Sequence, residues 1–512
     1  MKSDSIQFPT HAFAIIWYGT LLLSVLFATL TVMGILPLLW LFFPTIILII
    51  VCIDSFQNKH TIRKNYPLVG RLRYLFESVR PELRQYFFEG ELDGKPFNRR
   101  QRSIVYQRAK NEKQTISFGM QDDPMRPGYE WAAHSVYPQK ANYRLFKTTI
   151  GNRSCSQPYE ASIYNIGAMS YGALSKTAIS ALNTGALKGG FAHNTGEGGI
   201  SPYHLKGGDL IWQIGTGYFG CRNQEGYFDE QLFAEKSAYP QVKMIEIKLS
   251  QGAKPGHGGL LPAQKNTPEI ASIRNIKPFT TVHSPAAHTA FTNAEELVHF
   301  IGKLRILSKG KPIGFKICIG RKEEFTDIVK CMKSCGIIPD FITIDGAEGG
   351  TGAAPLEFID YMGMGLTDAL VLAHLTLKEF GLRNQVKLIA SGKIITSFDL
   401  AKALALGADA CYSARGMMFA LGCIQALKCD SGKCPVGIAT QNKTLYNGID
   451  MTDKSERVAN FHLNTMKALA EFIGACGFKS ISEIQADVFF KRIDMHTSKN
   501  YSEIFKLHQH NH

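Results

Sequence analysis

Three cysteines near the end of the chain, Cys423, Cys429 and Cys434, could hold a metal centre. They are separated by five and then four residues, and Pro435 follows the last of them. Soft thiolates select zinc or iron–sulfur centres, but structural zinc takes four ligands and closely paired cysteines. With no histidine nearby in the sequence, and with a trailing Cys-Pro typical of ferredoxin-like runs, the spacing favours a 3Fe-4S cluster. The alternative is a set of three buried structural thiols, which the two lysines between the cysteines disfavour.

Two loops just before these cysteines have the composition of a phosphate-binding corner. Ser391-Gly392-Lys393 and Ser413-Ala414-Arg415-Gly416 each follow a strand-like apolar run. In (β/α)8 barrels the loops after strands seven and eight offer backbone N–H donors to a phosphate, assisted by a helix N-terminus. A phosphate beside an iron–sulfur loop indicates a flavin nucleotide, so the sequence predicts a redox enzyme rather than a binding module. Taken singly, either loop could be an ordinary strand–helix turn.

A third set of candidate residues is charged and surrounded by glycine. Glu197 and Lys254 lie in glycine-rich loops, Lys248 ends a predicted strand, and Arg274 follows a further turn. Two lysines and an arginine that converge on one barrel mouth suit a dicarboxylate, because each carboxylate takes a cationic partner. The alternative is solvated surface charge, although the flanking glycines favour close approach to a ligand.

From about residue 160, strand-like runs alternate with helical patterns, which predicts a parallel sheet with helices outside. About eight strands close a (β/α)8 TIM barrel, whereas no strand here is followed by the G-x-G-x-x-G turn of an open dinucleotide-binding sheet. The predicted strands are Ser162–Gly167, one near Phe191, Met244–Leu249, Thr280–His283, Gly314–Ile319, Phe341–Ile344, Val386–Ala390 and Ala410–Ser413. The predicted helices are Lys176–Leu187, Ala294–Leu307, Glu323–Cys335, Thr367–Phe380, Ser397–Leu406 and Met417–Leu427.

The N-terminal region predicts a transmembrane helical hairpin. The run from Ala12 to Ile53 contains no Asp, Glu, Lys or Arg, and one span needs ~20 residues, so we expect spans at about 12–33 and 36–53. A secretory signal has an apolar region of only ~7–15 residues, and a soluble helix keeps a polar stripe; both are weaker interpretations.

The segment after the hairpin is strongly basic. Lys59–Lys113 carries fourteen Lys and Arg against six Asp and Glu, so it holds over half of the chain's net charge of +14. Positive residues stay on the cytoplasmic side and attract anionic lipid headgroups. We therefore expect a two-span protein of the inner membrane with its catalytic domain in the cytoplasm. Nucleic-acid binding is not expected, because the charge is local and no nucleic-acid motif accompanies it.

The expected domains are a hairpin over 1–55, a basic connector over 56–150, a barrel over 151–480 with the iron–sulfur loop at 423–434, and a tail over 481–512. The tail carries His508, His510 and His512, which favour a disordered polar end over a metal site. Eleven cysteines in a cytoplasmic domain are expected to be reduced thiols or ligands. Among them, Cys331 and Cys335 fall in a helical pattern that indicates a core position.

Five motifs, in order, resemble the synthase domain of glutamate synthase, and specifically its stand-alone, membrane-anchored, FMN-binding branch. They are Met169–Ser175, Gly196–Gly199, Ile247–Gly256, Asp345–Ala353 and Gly422–Gln441. The resemblance implies FMN on the catalytic face and a 3Fe-4S cluster on the three cysteines. It implies that the chain is an oxidoreductase acting on CH-NH2 donors, forming glutamate from 2-oxoglutarate and ammonia with hydride from reduced FMN.

The resemblance also implies roles for individual residues. The 2-oxoglutarate contacts match Glu197, Lys254 and Arg274, with the two cations on the carboxylates and Glu197 positioning the amine or relaying a proton. The flavin contacts match Met169, Ser170, Lys248, Lys316, Gly349, Gly350, Thr351, Ser391, Gly392, Arg415 and Gly416.

The sequence departs from the family in ways that leave the substrate open. The long family enzymes begin with a glutamine amidotransferase domain, whereas this chain begins with Met1-Lys2-Ser3-Asp4, so we expect free ammonia or a separate amidotransferase. Leu260 replaces a glutamine that contacts 2-oxoglutarate, and His257 replaces a glutamate. Another imine, a membrane quinone or a purely electron-transferring subunit are therefore alternatives, as is a degenerate structural barrel. Without a nicotinamide motif, a ferredoxin-like or flavoprotein donor is expected.

Overall fold

The computed structural model describes residues 11–112 and 114–507, so the three histidines of the tail lie outside the described residues. The chain divides into two compact units, Met1–Gly94 and Lys95–His512. The boundaries expected at 55/56, 150/151 and 480/481 stay predictions.

The first unit contains two long apolar helices. They are His11–Val32 and Phe42–Phe56, and a 3-10 turn, Leu38–Leu41, leads into the second. His11–Val32 and Leu38–Phe56 are long and apolar enough to cross a membrane, with mean hydropathies of 2.0 and 2.4. Trp17 Nε1 donates a hydrogen bond to Ser55 Oγ at 2.8 Å between the two helices. The remaining elements of the unit are Thr61–Asn65, Gly70–Leu83 and a π-turn at Arg84–Phe88.

The second unit is built on a closed barrel of eight parallel strands, which confirms the predicted fold class. In chain order the strands are Tyr164–Ile166, His193–Asn194, Leu210–Ile214, Val242–Lys248, Ile313–Ile317, Phe341–Asp345, Lys387–Ser391 and Ala410–Ser413. The first and last strands pair through Cys411 and Tyr164, which closes the ring.

One predicted barrel strand is wrong and one was missed. Within Thr280–His283, only Val282–His283 is a strand, and it pairs antiparallel with Leu260–Leu261 outside the barrel. The third barrel strand is Leu210–Ile214, all of whose residues are buried. Its signal was a short apolar run between glycines, interrupted by Gln213, whose side chain faces a polar partner inside the barrel.

Helices and short strands surround the barrel. The helices are Arg99–Lys110, Lys176–Gly189, Glu230–Ser237, Pro268–Arg274, Ala294–Leu307, Lys322–Cys335, Leu356–Tyr361, Leu366–Glu379, Ser397–Ala405, Arg415–Ala420, Lys443–Tyr446, Met451–Ala475 and Tyr501–Ile504, with 3-10 turns at Tyr143–Leu145, Ala263–Lys265, Ile481–Glu483 and Ala486–Val488. The outer strands are Glu130–Ala132, Lys147–Ile150, Tyr159–Ser162, Phe489–Arg492 and Ser498–Asn500. The tail strand Phe489–Arg492 pairs with Glu130–Ala132.

The helix predicted at Met417–Leu427 is wrong in its second half. The observed helix, Arg415–Ala420, ends before Gly422, whose φ of +103° lies in the left-handed region. Gln425 and Leu427 also have positive φ, a conformation that a helix excludes and that non-glycine residues adopt at some cost. The first cysteine of the candidate cluster therefore lies in an irregular loop rather than on a helix.

Candidate active site

A cavity of about 480 Å³ opens at the carboxyl ends of the barrel strands. Lys248, Asp345, Ser391 and Ser413 line it, and each is the last residue of its strand. It is also lined by every residue for which the sequence suggested a catalytic or flavin-binding role: Met169, Ser170, Glu197, Lys248, Lys254, Arg274, Lys316, Gly349, Gly350, Thr351, Ser391, Gly392, Arg415 and Gly416. This is the face on which TIM-barrel enzymes carry their active sites.

Positive charge dominates the cavity wall. The lining contains the carboxylates of Glu197, Asp345 and Asp430. Against these three stand seven cations: Lys248, Lys254, Lys265, Arg274, Lys316, Lys393 and Arg415. An excess of four positive charges in a concave, partly buried site favours anionic ligands.

Glu197 lies at the centre of one cationic group. Lys248 Nζ approaches Glu197 Oε1 at 2.8 Å and donates to Gln251 Oε1 at 2.7 Å. Burial by itself would raise the pKa of Glu197, but Lys248, followed by Lys254 and Arg274, lowers this pKa to about 2. Glu197 is therefore a carboxylate at neutral pH. Gly215 leaves space for Glu197, because a Cβ at this position would lie 2.8 Å from the Glu197 Cβ.

Arg274 is held so that part of its guanidinium lacks a protein acceptor. Its Nη2 donates to Tyr171 O at 3.0 Å, whereas its buried Nε has no partner in the described part of the chain. Burial lowers the pKa of Arg274 to about 10, against the opposing effect of Glu197. Gly172 and Gly198 make room for it, since a Cβ on either would lie 2.8 or 2.9 Å from Arg274 Nη2.

Lys254 has a similarly incomplete set of partners. Its Nζ contacts Gly258 O at 3.5 Å, at the limit of a hydrogen bond. Burial and then Lys248 lower the pKa of Lys254, while Glu197 raises it. Lys254 and Arg274, together with Lys248, place three cations near one carboxylate, and this excess of two positive charges suits a dianionic ligand.

Lys316 is positioned by a carboxylate network at the ends of the fifth, sixth and seventh strands. Its Nζ lies 3.7 Å from Asp345 Oδ2. Asp345 also accepts from Ser391 Oγ at 2.7 Å and from the Gly252 N–H at 2.9 Å. The sequence motif Asp345–Ala353 predicts no role for Asp345 itself; the signal for one is its position at a strand end directly before glycine.

The predicted phosphate corner lies at the N-terminus of a short helix that has no side-chain cap in the described part of the chain. Ala414 precedes the helix Arg415–Ala420 and provides no side-chain cap to it, so the first-turn N–H groups lack an intrahelical acceptor. Arg415 donates from Nη2 to Thr351 O, and its Nη1 lies 3.8 Å from Cys429 Sγ. A Cβ on Gly350 would lie 2.8 Å from Arg415 Nε. Arg415 therefore links the phosphate corner to the cysteine loop.

The three cysteines converge beside this corner, but only Cys429 lines the cavity. Cys434 is buried, and Cys423 and Cys429 are partly buried. Burial raises the pKa of Cys423 to about 11, and Cys429 and Cys434 act in the same direction as near neighbours. Among the described residues, the three sulfurs are not within 4.8 Å of one another, as ligands of one ion would be.

The cysteine loop is fixed by residues that the sequence did not indicate. Gln425 Nε2 donates to Phe97 O at 3.0 Å, and the Phe97 N–H donates to Gln425 Oε1 at 3.2 Å. Tyr106 OH donates to Cys423 O at 2.6 Å, and Lys265 Nζ donates to Cys429 O at 2.7 Å. No local pattern could reveal these contacts, because the partners are far apart in the chain.

The two residues that depart from the family pattern, Leu260 and His257, have different surroundings. Leu260 lines the cavity and is 46% exposed. His257 does not line it; its Nδ1 lies 2.8 Å from Gly258 O, and its ring packs edge-on against Phe358. Of the two, only the leucine changes the chemistry of the cavity wall.

Known proteins resemble this chain over most of its length. The family model described as a conserved region in glutamate synthase matches residues 141–479. The glutamate synthase large subunit-like protein YerD of Bacillus subtilis is 38% identical over 469 residues, covering 83% of this chain and 89% of that protein. The archaeal glutamate synthase [NADPH] of Methanocaldococcus jannaschii is 36% identical, covering 71% and 68%. The B. subtilis glutamate synthase [NADPH] large chain is 33% identical, but the match covers only 22% of it.

Among solved structures, the recombinant flavin-binding domain of baker's yeast flavocytochrome b2 is similar at 12% identity. The match covers 82% of this chain and 86% of that one, with a TM-score of 0.42. A likeness at this level supports no conclusion about function.

Proposed function

The chain belongs to the glutamate synthase family, and from this premise we propose that it is a membrane-anchored flavin and iron–sulfur oxidoreductase that forms glutamate from 2-oxoglutarate and ammonia. In this reaction ammonia and 2-oxoglutarate condense to an imine, and bound FMN in its reduced form supplies hydride to the imine carbon. The protein's contribution is to bind, orient and protonate.

The observation that carries the proposal is the excess of four positive charges in the cavity, divided between two places. One group surrounds Glu197 and contains Lys248, Lys254 and Arg274. The other lies after the seventh and eighth strands and contains Lys393 and Arg415. A phosphomonoester and a dicarboxylate carry about two negative charges each at neutral pH, so together they would balance the excess.

The substrate would bind in the group around Glu197. The Arg274 guanidinium and the loosely bonded Nζ of Lys254, which both line the cavity, are the proposed donors for two carboxylates. Glu197, ionised through its cationic neighbours, would accept hydrogen bonds from the ammonia or amine nitrogen. The 2.8 Å contact to Lys248 gives Glu197 a proton-donating neighbour through which a proton can reach the reacting nitrogen.

The second group fits a flavin phosphate and ring edge. The first-turn N–H groups after Ala414, together with Arg415 and Lys393, would hold the phosphate. Lys316, held by Asp345, and Lys248 would lie near the flavin, where positive charge stabilises the reduced anionic ring. Met169, Ser170 and the Gly349–Thr351 loop complete the proposed flavin contacts.

Cys423, Cys429 and Cys434 would hold a 3Fe-4S cluster that supplies single electrons from an external donor. The donor would be a ferredoxin-like protein or flavoprotein, and ammonia would come from solution or from a separate amidotransferase. The hairpin His11–Val32 and Leu38–Phe56 would anchor the protein in the inner membrane, with the barrel in the cytoplasm and the basic segment near anionic lipid.

Leu260 favours a second candidate, in which the cofactors are retained and the acceptor is a different imine or a membrane quinone. This side chain places apolar surface in the cavity wall where the resemblance implies a polar contact to 2-oxoglutarate. A less polar acceptor would gain from that surface.

One experiment separates the candidates. The full chain, purified anaerobically in detergent and analysed for flavin and iron, is reduced chemically and mixed with ammonia and 2-oxoglutarate. We expect one FMN and about three irons per chain, flavin reoxidation and stoichiometric glutamate. Reoxidation by a quinone but not by the two substrates would support the second candidate. A protein with neither flavin nor iron after reconstitution contradicts both.

A further inference from the structure

Two helices on the outside of the barrel bring together four side chains that could bind a metal ion. Helix Ala294–Leu307 follows the fourth barrel strand, and helix Lys322–Cys335 follows the fifth. The two helices pack against each other. Because both follow parallel strands in successive β–α units, they run in the same direction, so residues at matching heights lie side by side.

Each helix contributes a pair of residues one turn apart. Glu295 and His299 are four positions apart on the first helix, and Cys331 and Cys335 are four apart on the second. Residues at this spacing share one helix face. The four side chains are therefore expected to form two neighbouring pairs, with one residue from each helix in each pair.

The distances fit a single ion. The ligand atoms of Glu295, His299 and Cys335 all lie within 4.8 Å of one another, and His299 Nε2 is 3.9 Å from Glu295 Oε1. Cys331 lies outside this group of three, but it is one helical turn before Cys335 on the same helix face and is the proposed fourth ligand.

The neighbouring cations each have another partner as well. Lys330 lies 3.3 Å from Asp327, Lys303 pairs with Glu230 at 2.5 Å, and Lys333 lies over the Phe380 ring at 5.8 Å. A metal ion would give this group of potential anions a positive partner of its own.

We propose that Glu295, His299, Cys331 and Cys335 form a zinc site that links the two helices. Two thiolates, one imidazole and one carboxylate are a tetrahedral donor set of the kind that selects zinc, and the thiols exclude calcium and magnesium as preferred ions. On binding, each thiol releases one proton and forms a sulfur–zinc bond, with no change of oxidation state. The site uses none of the cavity residues and is independent of the proposed flavin chemistry.

The test measures zinc and iron separately on the full chain in detergent. After zinc loading and removal of loosely bound metal, we expect one zinc per chain in the parent protein. Zinc should fall at least tenfold in the Cys331→Ser/Cys335→Ser double variant. It should be unchanged in Cys476→Ser, a matched control with a partly buried thiol, and in Cys429→Ser, which distinguishes this site from the cysteine loop of the cavity.

Two exposed substitutions keep the test decisive if the double variant does not fold. The His299 and Glu295 side chains are 59% and 70% exposed, so His299→Gln and Glu295→Gln should fold normally and weaken zinc binding at least tenfold. Cobalt in place of zinc should give a tetrahedral ligand-field band beyond the flavin absorption, and this band should weaken in both variants. Zinc binding that is absent, or that persists in all of these variants, or an octahedral cobalt spectrum, overturns the proposal.

Discussion

Glu246 and Glu197 are both glutamates of the barrel, but neutral donors stabilise the first and cations stabilise the second. Glu246 lies inside the barrel and is fully buried. It accepts hydrogen bonds from Asn194 Nδ2 at 2.8 Å, Gln213 Nε2 at 2.7 Å and Thr343 Oγ1 at 2.6 Å, all of which are neutral donors. Glu197 lies at the mouth with 22% of its side chain exposed, and its partners are cations.

The difference separates a structural carboxylate from one in a binding site. The three donors to Glu246 all come from the protein, and they tie the second, third, fourth and sixth strands together. Around Glu197 the cations outnumber the carboxylates, and one donor of Arg274 has no acceptor among the described residues. A set of buried donors that the protein leaves incomplete is suited to binding a ligand, whereas a complete set stabilises the fold.

The largest effect is expected inside the barrel. Glu246→Ala removes the acceptor of three buried donors and should lower the free energy of unfolding by about 3 kcal/mol or more, because each unsatisfied donor costs about 1 kcal/mol or more. Glu246→Gln keeps the volume and one acceptor and should cost less. Chemical denaturation measures both. If Glu246→Ala is no less stable than Glu197→Ala, Glu246 does not have the structural role that separates it from Glu197.

At the mouth, we expect loss of binding rather than loss of stability. Arg274→Ala removes a charged donor from the proposed substrate carboxylate and should raise the KM for 2-oxoglutarate about 30-fold, equivalent to about 2 kcal/mol. The control is Arg222→Ala, because both arginines lie over the Phe219 ring, at 5.0 and 5.6 Å, but only Arg274 lines the cavity. Equal changes in both variants would indicate that the effect is one of packing.

The residues that line the barrel mouth can be predicted from the sequence better than the residues that hold the surrounding loops in place. Two kinds of local pattern predict the lining residues correctly. They are the glycines near Glu197 and Lys254, and the cations at the ends of strands. The support of the cysteine loop could not be predicted, since Phe97 and Gln425 meet only after the chain has folded. The same limit explains the strand error: Leu210–Ile214 is a short run that contains a polar residue, and its place is set by pairing with its neighbours rather than by its own composition.

A third prediction concerns pH. The pKa of Glu197 is lowered in the folded state, so its ionisation stabilises the protein above its unfolded-state pKa of about 4.3, and this contribution is lost as the pH falls toward about 2. Glu197→Gln should therefore cost about 1–2 kcal/mol at pH 7, and its difference from the parent should shrink between about pH 4.5 and pH 2. Urea unfolding across this range measures the effect, with the exposed Glu323→Gln as control. A difference that does not depend on pH would mean that the ion pair with Lys248 contributes little.

The smallest effect is expected on the flavin itself, and two lysine–aspartate pairs at opposite ends of the barrel strands allow a matched test. Lys316 lies 3.7 Å from Asp345 at the mouth, and Lys387 lies 3.4 Å from Asp409 where the seventh strand begins. Removing positive charge beside the proposed flavin ring should destabilise its reduced anionic form. Lys316→Met should therefore lower the flavin midpoint potential by about 30 mV, equivalent to about 1.4 kcal/mol for two electrons. Lys387→Met should leave the potential unchanged in the same potentiometric titration. A shift of similar size in both variants would mean that the potential responds to the overall charge or stability of the protein. The barrel mouth would then have no special electrostatic effect on the flavin, contrary to the difference between Glu197 and Glu246.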